Sequence, residues 1–407
     1  PSWKGDGETE VLLEMLRRRG GEATLNQLDG MFAFALFDKV DGTWTLARDH
    51  FGEKPLYYGW SQGAFVFGSE LKALKALPGF QGALDRESLA LYFRYRYVPG
   101  SRSIYQSYRK LEAGSILTLK DGDVQTRRYW DPAHVAKQAF SNPFQGTRAE
   151  ALDEVSRLFS LSITRRPAAA VPLGAFLSGG IDSSLAVAVA QQASGRAVNT
   201  FTIGFSEQHF NEAPYAKVVA DRLGSNHTEV TVSEQDALAV VDTLAAMYDE
   251  PFGDPSQLPT AVLCAKARTH VTVTLAGDGG DELFCGYGRY LNHVQRWSRL
   301  ASLSQSARAR AAGLAQRLPV GLLNGLDGLR GKPGTLGGQW ASRLVDRYIA
   351  TAVFEIIRPI MCYSRLLRAR VTRLLRCSIV ALPKSNRLIT TIPAVGTLRC
   401  VSVTFAK

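Results

Sequence analysis

The strongest chemical signal in the 407-residue chain is Ser178-Gly179-Gly180-Ile181-Asp182-Ser183-Ser184. It follows an apolar stretch that reads as a strand (171–177) and precedes one that reads as a helix (185–192). The two glycines let backbone N–H groups turn toward an oxyanion, and the serine hydroxyls add donors. The helix aims its positive end at the same point. This is a cradle for phosphate or pyrophosphate. It lacks the lysine of the loop ending Gly-Lys-Ser/Thr, and it is not the dinucleotide fingerprint. A plain Gly-rich turn with an Asp cap is the bland alternative, which the strand-to-helix placement disfavours.

The second signal is Leu275-Ala276-Gly277-Asp278-Gly279-Gly280-Asp281-Glu282, again just past a predicted strand. Three carboxylates would repel a bare phosphate but serve one whose charge is bridged by Mg²⁺. The EF-hand spacing is absent, so a calcium loop fits poorly. Taken alone, the segment would pass for a solvated acidic turn. Two Gly/Asp turns at the carboxyl ends of parallel strands point to one crevice.

The elements that must position these turns are legible in the periodicity. Residues 9–19 predict a helix, with Val11, Leu12, Met15 and Leu16 on one face and charges ordered to suit its dipole. Strands are expected at 31–37, 44–48 and 64–68, so an α+β layered region comes first. Residues 131–147 are polar, contain two prolines and read as a connector. Beyond it, strands at 199–205, 228–232 and 271–276 alternate with helices at 214–223, 234–248 and 258–268. That alternation predicts a parallel sheet covered on both faces. A basic amphipathic helix is possible by pattern at 364–376.

Composition excludes several classes. The chain is 45% hydrophobic and 21% charged, ordinary for a globular protein. No stretch of about 18 apolar residues occurs. Five scattered cysteines fit neither a disulfide framework nor a Cys₄ zinc site, and a reducing cytoplasm suits them best. The net charge is +11, yet residues 356–407 hold ten Arg and Lys and no acid, leaving 38 basic residues against 37 acidic ones before them. A diffuse nucleic-acid surface is therefore unsupported. Tyr92-Phe93-Arg94-Tyr95-Arg96-Tyr97 reads as interdomain packing with Arg stems over rings in preference to a base-stacking face. Cys264 and Cys285 read as small buried residues, and His50, His209 and His227 as structural or solvated.

Together the motifs resemble the glutamine-hydrolysing asparagine synthetase family. The carriers are the two turns above with Leu283-Phe284, Thr200-Phe201-Thr202-Ile203-Gly204-Phe205, and Asp249-Glu250-Pro251-Phe252. Nearer the start, Glu8-Thr9-Glu10-Val11-Leu12-Leu13, Gly30-Met31-Phe32-Ala33-Phe34-Ala35 and Arg48-Asp49-His50-Phe51-Gly52-Glu53-Lys54-Pro55-Leu56-Tyr57-Tyr58 resemble the same family's glutaminase part. The resemblance implies an α+β glutaminase-type, N-terminal-nucleophile-like partial domain followed by an α/β ATP-pyrophosphatase domain with a parallel sheet. Its expected boundaries are 1–130, a linker at 131–149, 150–345, and an atypical basic tail at 346–407 that does not pack on the domains.

The resemblance further implies ATP and Mg²⁺ as cofactors, with aspartate, glutamine or ammonia as small-molecule substrates. By position, Ser178, Gly179, Gly180, Ile181, Asp182, Ser183 and Ser184 would hold pyrophosphate, and Leu177, Ile203, Ala276 and Gly277 would line the ATP site. Asp182 and Asp281 would hold Mg²⁺, Asp278 would assist the intermediate, and Glu8 would bind the glutamine amine where the family usually has Asp. No nucleic-acid or membrane partner is expected, and a homodimer is the assembly considered. The family's amino-terminal Cys nucleophile, its Glu-x-Arg-x-Pro segment and its later lysine are not found, and Ala276 replaces a usual Ser. Those departures predict a fragment of a longer gene. Three rivals stay open: a relative adenylating another carboxylate (of the β-lactam or surface-polysaccharide type), a tRNA-modifying pyrophosphatase, and an inactive fragment.

Overall fold

The structure, a computed structural model, describes residues 8–164, 173–205 and 211–288, parts of 290–310, and the strand backbones at 379–381 and 398–404. The chain opens with α1 (Glu8–Arg19), which buries Leu12 and Leu16 and carries acids in its first turn and arginines in its last. Glu14 pairs with Arg17 and Arg18, whose hydrogen bonds pull its carboxyl down to about 2. A short α2 (Gly21–Leu25) follows. Next come β1 (Ala33–Asp38), β2 (Trp44–Arg48), β3 (Tyr57–Ser61), β4 (Ala64–Gly68), α3 (Leu71–Lys75), α4 (Arg86–Tyr95), β5 (Tyr108–Lys110), β6 (Ser115–Lys120) and β7 (Asp123–Arg128). Strands β1, β2, β6 and β7 form consecutive antiparallel neighbours, and β4-β3-β5 forms a second antiparallel sheet. Ala35, Leu46, Leu56, Leu111 and Leu117 make one buried cluster under these strands.

Strand β3 is absent from the pattern reading for a physical reason. Gly59 at its centre looks like a breaker, but a Cβ there would lie 2.2 Å from the Ser107 carbonyl oxygen. The glycine is what lets the chain entering β5 close on β3.

The loop after β2 is organised by one buried acid. Asp49 is fully buried, and its carboxylate accepts backbone N–H groups from Phe51, Glu53 and Lys54 at 2.9–3.1 Å and from Phe32 at 3.3 Å. Beside it the Arg48 guanidinium donates to the carbonyls of Gly52, Lys54 and Leu111. Burial lowers the Arg48 pKa from its ordinary value. His50 is buried edge-on to Tyr129 and Trp130, a packing role as expected.

The second half contains α5 (Pro132–Ser141), α6 (Arg148–Thr164), β8 (Leu173–Phe176), α7 (Ile181–Ala193), β9 (Asn199–Phe205), α8 (Ala213–Leu223), β10 (Asn226–Val232), α9 (Glu234–Val241), α10 (Leu244–Met247), α11 (Gln257–Ala267), β11 (Val273–Leu275) and α12 (Gly280–Phe284). The expected parallel sheet is present, in the order β10-β9-β8-β11. Phe201, Leu263, Ala267 and Val271 pack α11 onto it. The single helix expected at 234–248 is two, because the Thr243 hydroxyl bonds back to the Val240 carbonyl and competes with the helical ladder. The connector read at 131–147 contains α5.

Two further strands come from the basic tail. β12 (Ile379–Ala381) runs antiparallel to β11, and β13 (Leu398–Thr404) runs antiparallel to β1. The reading that the tail does not pack is thus not what these strands show: each satisfies the backbone of an apolar sheet edge. The helix read at 364–376 lies outside the described residues. By contacts the described residues form two compact units, one drawn from 1–132, 160–277 and 377–407, the other from 133–159 and 278–376. Among the described residues no helix is long and apolar enough to cross a membrane.

Asp49→Ala is expected to cost about 3 kcal/mol or more, because several buried N–H groups lose a charged acceptor together. Urea unfolding followed by fluorescence checks this.

Candidate functional site

In the order β10-β9-β8-β11 the chain leaves β8 toward β9 on one side and later returns to β11 on the other. The connections from these neighbouring strands diverge, which opens a crevice at their carboxyl ends. Residues 177–184 leave β8 into it, and Ala276 and Gly277 leave β11 into it. Leu177 and Ala276 are buried at the strand ends, and the Leu177 N–H is held by the Phe201 carbonyl at 2.9 Å.

The turn after β8 is shaped by its own hydroxyls. Ser178 Oγ and Ser183 Oγ lie 2.8 Å apart, Ser178 N–H donates to Ser183 Oγ, and Gly180 N–H donates to Ser178 Oγ. Gly179 has φ +81°, and a Cβ there would lie 2.7 Å from Tyr215 Cβ and 2.8 Å from the Ala216 nitrogen. Only glycine permits both the left-handed backbone and the contact with α8. α7 starts at Ile181 without a side-chain cap, so its first-turn N–H groups face the crevice end with the positive dipole. Ile181 is 86% exposed beside them, with Leu185 and Tyr215 also exposed. Ser184 Oγ is buried and has no hydrogen-bond partner among the described residues. A buried orphan hydroxyl is costly unless a ligand uses it.

Gly277 is brought directly against this turn. A Cβ on it would lie 3.0 Å from the Ser183 nitrogen and 3.3 Å from Asp182 Cβ. Ile203 lies on β9, two residues along the strand from the Phe201 carbonyl that holds Leu177. Thus the residues expected to line the nucleotide pocket gather at the end of one sheet. Glu8 is exposed at the first position of α1, and the residues before it lie outside the described set.

Asp278, Asp281 and Glu282 belong to the second compact unit. Gly279 takes φ +92° before α12, and the Tyr287 hydroxyl donates to Glu282 at 2.7 Å. Asp278 is exposed, yet partial desolvation by the surrounding chain and then the Glu282 charge hold its carboxyl above the ordinary range. Among the described residues no three His, Cys, Asp or Glu side chains gather to hold a metal. Asp182 lies in the first turn of α7, and Asp281 lies in the first turn of α12.

Among the described residues, Cys264 and Cys285 are half-buried free thiols. Burial against the α11 core raises the Cys264 thiol to about 11, which leaves it protonated and inert. Asp249 and Glu250 are a different case. They carry part of the family resemblance, and their carboxylates accept backbone N–H groups of Leu71, Lys72 and Ile104. Their signal was two adjacent acids with no helix face to serve. The 92–97 segment packs less than expected: Arg94 lies over Tyr95 at 5.3 Å, but Phe93, Tyr95 and Tyr97 stay exposed.

Residues 1–130 match the glutamine amidotransferase domain family, and residues 154–332 match the asparagine synthase family. The matches thus run in the order of an amidotransferase family model followed by an asparagine synthase family model. The putative asparagine synthetase [glutamine-hydrolyzing] 2 of Methanocaldococcus jannaschii is 36% identical over 70% of this chain and 55% of its own length. Asparagine synthetase [glutamine-hydrolyzing] 1 of Bacillus subtilis is 33% identical over 86% of this chain and 52% of its own. A putative asparagine synthetase [glutamine-hydrolyzing] of Mycobacterium tuberculosis is 35% identical over 70% and 44% respectively. The chain is similar to these glutamine-hydrolysing asparagine synthetases, and it spans about half the length of these curated relatives.

Two outcomes follow from the site. Ser184→Ala should leave the ligand-free chain as stable or more stable by about 1 kcal/mol, since it removes an unsatisfied buried hydroxyl. The same variant should bind magnesium pyrophosphate more weakly, by calorimetry. Asp278→Asn should stabilise the fold at pH 7. The raised carboxyl makes its ionised form the disfavoured one, so the gain should shrink as pH falls through the ordinary Asp range and the unfolded carboxyl also protonates. Thermal unfolding at pH 7 and pH 4 checks the sign.

Proposed function

We propose that this chain carries the machinery for ATP-dependent amidation of aspartate to asparagine. The observation that supports it is the meeting of an uncapped helix N-terminus, the 178–184 turn and Gly277 at the switch point of a parallel sheet. Under this reading the β-carboxylate of aspartate attacks the α-phosphorus of ATP. The bond to the β-phosphate breaks, leaving β-aspartyl-AMP and pyrophosphate. Ammonia then attacks the acyl carbon, AMP leaves, and a proton is lost from nitrogen.

Each residue has a task in that sequence. Ser178, Gly179, Gly180, Ile181, Asp182, Ser183 and Ser184 hold the departing pyrophosphate through N–H and hydroxyl donors, which stabilises charge as it develops. Leu177, Ile203, Ala276 and Gly277 line the nucleotide and exclude water that would hydrolyse the acyl-adenylate. Mg²⁺, held by Asp182 and Asp281, would neutralise phosphate charge. Asp278, with its raised pKa, assists formation or capture of the intermediate. The nitrogen would come from glutamine in an N-terminal-nucleophile-type domain over 1–130, with Glu8 on the glutamine amine. The asparagine synthase part would occupy 150–345. The setting would be the cytoplasm, and the substrates are small molecules.

Supplied with MgATP, aspartate and ammonium, the chain should release pyrophosphate in step with asparagine. Asp182→Ala and Asp281→Ala should each lower that rate on the order of 10³-fold or more. Pyrophosphate release unchanged in both variants would refute the assignment. Release that depends on a carboxylate other than aspartate would place the chain with the relatives that activate another acid.

A further inference from the structure

The segment 248–253 joins α10 to the approach of α11, and it touches three separate stretches of the amidotransferase region. The first is the start of α3. Glu70 at the α3 N-cap makes no side-chain cap bond. Instead the Asp249 carboxylate accepts the N–H groups of Leu71 at 2.8 Å and Lys72 at 3.1 Å, from 177–178 residues away. The contact is reciprocal, because Lys72 Nζ donates to the carbonyls of Ala246 and Met247 near the end of α10. Each short helix is capped by the other's flank.

The second stretch is 98–110. Glu250 accepts the Ile104 N–H at 2.7 Å with one oxygen and Lys110 Nζ at 2.8 Å with the other. Lys110 also donates to the Val98 carbonyl, and burial, helped by the Glu250 charge, holds the nearby Tyr57 hydroxyl protonated. The Lys110 and Glu250 side chains are only 16% and 11% exposed, so salt screens this pair little. The third stretch is the end of α4. Gly253 N–H donates to the Arg96 carbonyl at 2.7 Å, and a Cβ on Gly253 would lie 2.8 Å from Arg96 Cβ. Arg96 has φ +66°, which terminates α4 at this contact.

These contacts use every acid in the segment and leave neither facing the crevice turn. We propose that 248–253 is a latch. Asp249 and Glu250 fasten the amidotransferase region to the nucleotide-binding sheet and fix the register between them. The geometry gives the latch a direct mechanical route to the crevice. α11 begins at Gln257, four residues past Gly253, packs on the sheet and feeds β11, which ends at Leu275 and leads directly into Ala276 and Gly277. The element that holds the amidotransferase region is therefore the one that delivers Gly277 to the turn.

The test is hydrogen–deuterium exchange on the full chain, comparing the wild type with Glu250→Gln. Loss of a charged acceptor at a buried site should speed exchange in peptides covering 71–75 and 98–110 on the order of 10²-fold. Exchange in β2, β6, β8 and β9 should stay within a few-fold of wild type. Unchanged rates at 71–75 and 98–110 would overturn the latch. Equal acceleration across all four strands would overturn it too, since that pattern marks general loss of stability. Should Glu250→Gln fail to fold, Lys72→Met replaces a half-exposed side chain and is read in the same way, with acceleration confined to 71–75 and 246–252 as the supporting result. Neither readout involves ATP or aspartate, so the latch and the proposed reaction stand or fall separately.

Discussion

The divergence of the chain on either side of β8 governs the chemistry this protein can do. A parallel strand must be followed by a connection that crosses back over the sheet, and neighbouring connections that go opposite ways cannot fill the space between them. In this chain that space falls between β8 and β11. It is bordered by an uncapped helix start, and water or an anion must satisfy the first N–H groups of α7. The negative charge of Asp182 in that first turn sits well with the dipole and supplies a carboxylate where a cation would need one.

Close approach at two glycines makes this crevice tight. Gly179 lets the turn lie against the first turn of α8, and Gly277 lets the end of β11 lie against the first turn of α7. A single methyl at either position would force backbone apart, because its nearest neighbours include main-chain atoms. The turn's own serine hydroxyls then hold its shape, leaving Ser184 as the hydroxyl without an internal partner. A rigid frame with one unsatisfied donor suits recognition of a ligand rich in acceptors.

The amidotransferase region depends on a different kind of constraint. Its loop after β2 is built around the fully buried Asp49, and its edge strand β1 is covered by β13. Both features meet backbone hydrogen-bonding needs that burial would otherwise leave open. The contacts of Asp249 and Glu250 do the same for α3 and for Ile104, with carboxylates borrowed from the other half of the chain. Backbone satisfaction across long sequence separations is thus a recurring means by which the two regions are joined.

The sequence alone was enough for the alternation of strands and helices in the parallel-sheet region, apart from the break at Thr243, because a parallel sheet demands apolar runs and turn residues at each strand end. The two Gly/Asp turns were legible for the same reason, their residue types being dictated by local backbone need. Other features had no local signature. The need for Gly59 comes from the close approach of the Ser107 carbonyl, which no local pattern reports. Asp249 and Glu250 could be quoted as a motif, but their partners lie 140–178 residues away, and no periodicity reports such a pairing. The strands at 379–381 and 398–404 escaped notice because an edge strand takes its place from the neighbour it covers. Tertiary structure alone decided these, since each depends on which backbone groups are left without a partner once the rest has folded.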